Sequence, residues 1–169
     1  AEEVGVQIYW TGLSGNWAAS WGRRNGYTYR HYNLLNNRYG RAEAWRSTVL
    51  KPVLKVLRER PAVNYGYDLM NEVQGSLRFG YWPDRWAGAR RFVRDEAAFV
   101  HAHAPGLKVT ASVGHHTAAG DLLDGRLDGL GLDFFDVHVY TNDPQIPRGQ
   151  ELAAHARRNG IPIVVGEFG

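Results

Sequence analysis

Apolar positions along the chain fall into five short runs, each leading into a polar or helical stretch. Residues 4–10, 62–69, 108–113, 134–140 and 161–166 are rich in Val, Ile, Tyr and Phe over lengths that suit β-strands. Between them the period lengthens. Trp45, Val49, Val53 and Leu57 recur every fourth residue, with Leu50 and Leu54 widening the stripe, which predicts an amphipathic helix that Pro52 kinks or interrupts. Residues 84–103 predict a second helix, with Trp86, Ala89, Val93, Ala97 and Val100 on one face and Pro105-Gly106 as its stop. Residues 118–123 predict at most a short helix, and residues 150–158 another that Asn159-Gly160 ends. Residues 11–40 show no such period and read as one long polar and aromatic loop, a length that in a compact domain goes with function.

Strands alternating with helices call for an α/β fold with a parallel sheet and right-handed crossovers. That order fits a doubly wound sheet as well as a piece of a barrel. The polar residues separate the two: Asn71-Glu72, His138 with Tyr140, and Glu167 stand where apolar runs end, the rim at which β/α barrels place their chemistry. Composition then sets limits. The 169 residues make one ordinary domain with enough apolar content for a core, and no low-complexity run or linker divides it. A net charge of +3 comes from scattered arginines (Arg23, Arg24, Arg58, Arg60, Arg90, Arg91, Arg157, Arg158), which read as solvated surface rather than a nucleic-acid footprint. The absence of cysteine excludes disulfides, thiolate nucleophiles and thiolate metal sites together. No run reaches the roughly 20 apolar residues of a membrane-spanning helix.

Glu72 and Glu167 carry the chemistry this pattern favours. Each directly follows an apolar strand and projects from the same rim. Cleaving a glycosidic bond with retention needs two carboxyl groups of different acidity: one protonated to serve the leaving oxygen, one ionised to attack the anomeric carbon. The plainer alternative is two rim glutamates in ordinary salt bridges.

Three ordered segments bear a resemblance. Tyr67-Asp68-Leu69-Met70-Asn71-Glu72 resembles the fourth-strand motif of the barrel glycosidases, Asp133-Phe134-Phe135-Asp136-Val137-His138-Val139-Tyr140 their sixth strand, and Ile161-Pro162-Ile163-Val164-Val165-Gly166-Glu167-Phe168-Gly169 their seventh. The chain is thus similar to glycoside hydrolase family five, which groups cellulases, mannanases and related enzymes. It departs from the family pattern at Val73, where proline usually follows Asn-Glu, and at the end of the first run, Tyr9-Trp10-Thr11, where a histidine is common.

The resemblance implies a (β/α)8 TIM barrel of which residues 1–169 are a single partial catalytic domain, approximately strands three to seven, truncated at both ends. It implies a retaining hydrolase of β-linked glycans, of β-glucan or β-mannan type, with Glu72 as acid/base, Glu167 as nucleophile and no cofactor. Asn71 would meet the sugar 2-hydroxyl, and Tyr140 would donate to Glu167. His138 would bind sugar or buffer the proton network, or else is a histidine satisfied inside the barrel mouth. The carboxyl groups should then lie about 5–5.5 Å apart, against about 6.5–9.5 Å in an inverting pair. His138 and Tyr140 should share one face of their strand, with Val137 and Val139 on the other.

Trp10, Trp17 and Trp82 are candidates to stack on sugar rings. The loop aromatics Trp17, Trp21, Tyr27, Tyr29 and Tyr32, set among Asn16, Asn25, Asn33, Asn36 and Asn37, suit either a subsite wall or the pinning of a long loop. Two rival readings stay open: a metal-dependent barrel hydrolase using His115, His116 and His138, and a non-catalytic carbohydrate-binding relative. Asp121, Asp124, Asp128 and Asp133 do not match a calcium loop and read as turns. Enzymes resembling this one are often secreted. Residues 1–169 alone are expected to be poorly soluble and inactive, because two sheet edges would stand open.

Overall fold

Asn64–Asp68, the strand β2, has parallel partners on both sides: β1, Ile8–Thr11, and β3, Lys108–Thr110. β4, Phe135–Val139, pairs in parallel with β5, Ile163–Phe168. A single parallel bridge, Val113 to Val137, joins the two groups. A computed structural model describes residues 2–15, 27–77, 85–114, 117–140 and 148–169. Within it the strands lie side by side in chain order. A doubly wound sheet reverses that order at its switch point, and no reversal occurs here.

The crossovers are helical. α1, Tyr27–Leu35, α2, Arg41–Trp45, and α3, Lys51–Leu57, lie between β1 and β2. α4, Arg85–His103, leads to β3, α5, Ala118–Leu123, to β4, and α6, Gly149–Asn159, to β5. Gly160, in the left-handed region at φ 66, closes α6 as its sequence promises. Alternation along the strands gives the sheet two unlike faces. Tyr67, Val109, Val113, Phe135 and Val137 pack with Leu54, Val93, Ala97, Val100, Leu122 and Leu152 of the helices in one buried core. The other face carries Tyr9, Asp68, Ser112, Asp136 and His138, and the rings of Tyr9 and Tyr65 meet Phe134 there at 5.7 and 5.6 Å. Among the described residues no helix is long and apolar enough to cross a membrane.

Three expectations need correction. The first strand begins at Ile8, not residue 4: Glu2–Val4 is a 3-10 turn ended by Gly5 at φ 67, and Val4 and Val6 remain exposed. Residues 11–40 are not one loop, since they hold α1 and a 3-10 turn, Arg38–Gly40. α1 packs against α4: Leu35 is buried, and the Asn36 side chain fills the space a Cβ at Gly88 would take. Its apolar residues are mostly tyrosines, interleaved with Thr28, Arg30, His31 and Asn33, so the helical period is masked. The third correction concerns the four-residue stripe. Arg46–Leu50 forms a π-turn between α2 and α3, just ahead of Pro52. The extra residue moves the buried line to Trp45, Leu50, Leu54 and Leu57 and turns Val49 out to solvent.

The π-turn also sets Arg46 against Glu96 of α4, Nε to Oε1 at 2.8 Å. Burial pushes the Glu96 carboxyl up to about 7, while the Arg46 hydrogen bond and charge hold it down. Glu96 is fully buried, and its Oε2 meets no donor among the described residues. Removing Arg46 strands that carboxyl. Arg46→Ala is expected to lower unfolding free energy by about 2–3 kcal/mol, below the roughly 3–5 of a wholly buried pair because Arg46 keeps some solvent contact. Urea unfolding checks this, and a change under about 0.5 kcal/mol would show that the pair contributes nothing.

Candidate active site

The chain leaves β2 at Asp68 and reaches Glu72 in a left-handed backbone conformation, φ 52, which a glutamate adopts only when its surroundings impose it. Those surroundings are visible. The Glu72 amide donates to Ser112 Oγ at 2.9 Å, and its carbonyl accepts from Gly75 at 2.8 Å. Val73 donates to the Ser112 carbonyl at 3.0 Å. Asn71 pairs through its backbone with Leu13 and Gly15, at 2.8 and 2.7 Å. Ser112 is held in turn by Asp68, whose oxygens accept from the Ser112 hydroxyl at 2.9 Å, the Ser112 amide at 3.0 Å and the Met70 amide at 3.1 Å. Buried Asp68 therefore fixes Ser112, and Ser112 fixes the Glu72 backbone. The Glu72 side chain, also buried, then lies over Gly114, where a Cβ would overlap its carboxyl.

β4 and β5 bring up the remainder. His138 Nδ1 stands 3.2 Å from Glu72 Oε1 and 3.5 Å from Glu167 Oε2. The Tyr140 hydroxyl donates to Glu167 Oε2 at 2.7 Å. One polar atom from each of Glu72, His138 and Glu167 lies within 4.8 Å of the other two. Glu72 and His138 are buried and Glu167 is half exposed, so the pair opens to solvent on the Glu167 side. Val137 is buried on the opposite face of β4, and Val139 packs against the same core, as the alternation requires.

The electrostatics are those of a crowded acidic site. Burial acts to lower the His138 pKa, but the hydrogen bond with Glu72 and the charges of Asp136, Glu167 and Glu72 outweigh it, and the net shift is upward. The hydrogen bond to Glu167, with burial and the charges of Glu167 and Glu72, pushes Tyr140 up to about 12, so it stays a donor at neutral pH. Beneath them Tyr9 donates to Asp136 Oδ2 at 2.5 Å, and burial raises the pKa of both groups.

Of the residues singled out in the sequence, Glu72, His138, Tyr140 and Glu167 come together, and Asn71 directly precedes Glu72. Trp10 does not. It alternates with Tyr9 on β1, so it points to the other face, where its indole donates to Asn64 at 2.8 Å, and its expected place as a sugar contact is corrected. Tyr32 lies under the Arg38 guanidinium at 5.6 Å, which favours pinning over a subsite wall for that ring. Trp17, Trp82, His115 and His116 lie outside the described residues, so only His138 of the three-histidine metal reading is placed. Sequence reasoning passed over Tyr9, Asp68, Ser112, Gly114 and Asp136. A signal for Asp136 existed: Asp136, His138 and Tyr140 are polar at every second position of an otherwise apolar strand.

Asp68 makes stability depend on pH. Burial pushes it up to about 7, against the donors from Ser112, with the charge of Asp136 adding to the rise. An acid whose folded pKa exceeds its ordinary value binds its proton more tightly in the native state, so its stabilisation is complete below about pH 4 and is lost as pH rises to about 7. Glu96 adds to the same decline. Asp68→Asn is expected to flatten part of the fall in unfolding free energy between about pH 4 and 8, measured by urea titration. An unchanged slope would rule Asp68 out as a source.

No protein-family model matches the chain, and no curated protein sequence does. Solved structures do. A beta-1,4-mannanase from the common sea hare Aplysia kurodai superposes with a TM-score of 0.70 at 18% identity, over 99% of this chain and 56% of the mannanase. A beta-mannanase from the blue mussel Mytilus edulis gives 0.63 at 22% identity, over 96% of this chain and 54% of that one. The chain shares their fold and spans about half their length.

Proposed function

We propose that the protein carrying this chain is a retaining glycosidase of β-linked mannan or a related β-glycan, and that the five strands are strands three to seven of a (β/α)8 barrel related to glycoside hydrolase family five. The observation that carries the reading is the close approach of Glu72 and Glu167 at the ends of parallel strands, with oxygens within 4.8 Å and His138 between them. An approach this close favours the separation of about 5–5.5 Å between the carboxyl groups of a retaining pair over the roughly 6.5–9.5 Å of an inverting one. The fold shared with two mannanases favours mannan among the β-glycans.

In this mechanism a Glu167 oxygen attacks the anomeric carbon as the glycosidic bond breaks, and Glu72 gives its proton to the departing oxygen. Glu72, now a carboxylate, takes a proton from water. That water attacks the same carbon, releases Glu167 and gives a product of retained configuration. Tyr140 orients Glu167 through its hydrogen bond, and Glu72 is enclosed beside His138. Asn71, next to the acid in the chain, would meet the sugar 2-hydroxyl, as the family resemblance implies. A polymeric substrate is met outside the cell, which makes the whole protein a secreted one.

The test is to incubate the longest natural polypeptide containing this chain with β-1,4-mannan, β-glucan, manno-oligosaccharides and aryl β-glycosides, following the anomeric proton by NMR. The β-anomer should appear first, and a chelator should leave the rate unchanged. First appearance of the α-anomer, or no hydrolysis of any of these substrates, would end the proposal. Loss of activity on chelation would favour the metal reading.

A further inference from the structure

We propose that Asp136 is a positioning residue that aims Glu167, by locking a β-bulge at Gly166; this rests on Glu167 being the nucleophile. The register of β4 and β5 carries the inference. Val137 pairs with Val165, but the next residue, His138, pairs with Glu167, so Gly166 is skipped. Residues paired across parallel strands face the same side, and successive residues alternate. Without the skip Glu167 would pair with Val139 and share the helix-facing side with Val165 and Ile163. One extra residue turns it to the face of His138, and re-aiming a side chain is what bulges do near active sites.

A bulge leaves an amide out of the ladder, and here that amide has a dedicated acceptor. Gly166 donates to Asp136 Oδ1 at 2.9 Å. Asp136 is fully buried, and its second oxygen is taken by the Tyr9 hydroxyl at 2.5 Å, which fixes the carboxylate from across the sheet. Gly166 is a glycine for want of room rather than for its backbone angle: its φ lies outside the left-handed region, and a Cβ there would overlap the Asp136 carboxyl. Asp136 also stands 3.9 Å from His138 Nε2, beyond hydrogen-bond reach, so a charge effect through His138 is the competing route to any activity change.

The two routes separate by leaving group. A dinitrophenyl glycoside departs without a proton, so formation of the glycosyl-enzyme then depends on Glu167 and not on Glu72. In the full-length protein, Asp136→Ala is expected to slow that step by about 100-fold with activated and ordinary aryl glycosides alike, as misplacement of a reacting group by an ångström does. Amide hydrogen exchange at Gly166 should accelerate by at least about tenfold, one lost hydrogen bond of ordinary strength. Asp136→Asn keeps an acceptor at Oδ1 and should recover most of both. If Asp136→Ala does not fold, Tyr9→Phe, which leaves the lock but removes its brace, should show the same two changes at smaller size.

Unchanged Gly166 exchange overturns the lock. A defect confined to ordinary glycosides, cured by dinitrophenol as leaving group, places the lesion at the acid and overturns the aim. A wild-type protein that forms no glycosyl-enzyme at all overturns the glycosidase reading and this proposal with it, and differs from failure of the lock alone because there the wild type reacts and the variant matches it.

Discussion

Glu167→Gln should reduce hydrolysis of β-mannan and of aryl β-mannosides by about 10^4-fold or more, the scale seen when a covalent nucleophile is removed from a preorganised site. The amide matches the carboxylate in shape and keeps an acceptor for the Tyr140 hydroxyl 2.7 Å away, so fold and substrate affinity should persist. What disappears is the charge that attacks and then stabilises the oxocarbenium-like transition state. The loss should therefore fall on kcat and spare KM. Glu72→Gln gives the complementary signature: ordinary glycosides stall, but a dinitrophenyl glycoside still forms the covalent intermediate, which then accumulates because no base activates water. Residual activity above about a hundredth of wild type in Glu167→Gln, with a pure preparation, would assign the nucleophile elsewhere.

The second large effect is expected from a methyl group. In Gly114→Ala the new Cβ would occupy the place of the Glu72 carboxyl. Gly114 cannot easily withdraw, because its carbonyl accepts from the Gln74 side chain, and Val113 next to it bridges to Val137. The flexible end of Glu72 gives way instead, leaving His138 and moving away from the leaving oxygen. A displacement of about 1 Å costs on the order of 100-fold, and loss of the acid's alignment brings the expected fall in kcat to about 10^2–10^3-fold. Thermal unfolding should move little, since the backbone stays where it was. A variant that melts as the wild type does and turns over at more than a tenth of its rate would show that Glu72 need not lie against Gly114.

The strands and the longer helices were legible because their physics is local. Val109, Val137 and their neighbours alternate as a half-buried strand must, and the face from Trp86 to Val100 repeats at helical spacing. Glu72, His138, Tyr140 and Glu167 were legible because each ends an apolar run. Trp10 misled for the opposite reason: nothing in one strand tells which of its two faces will look onto the rim, and the irregular register between Ile8 and Tyr9 removes what regular alternation would offer. The π-turn at Arg46–Leu50 was illegible because a five-residue step from Trp45 to Leu50 and a four-residue step to Val49 are both apolar, and only packing against α4 chooses between them. Asp68 and Asp136 stand as lone acids within apolar strands, and their roles emerge only when their partners, Ser112, Gly166 and Tyr9, arrive from far along the chain.

The left-handed backbone at Glu72 sets a direction for evolutionary drift. A residue held at φ 52 raises the energy of the folded state by about 1–3 kcal/mol, which glycine would relieve almost entirely and asparagine in part. Whenever a gene copy is freed from selection for turnover, Glu72→Gly is a single step that makes the protein steadier as it silences it. If the proposed activity holds, descendants that lost it should accordingly carry glycine or asparagine at this position more often than alanine, and should melt higher than their active relatives.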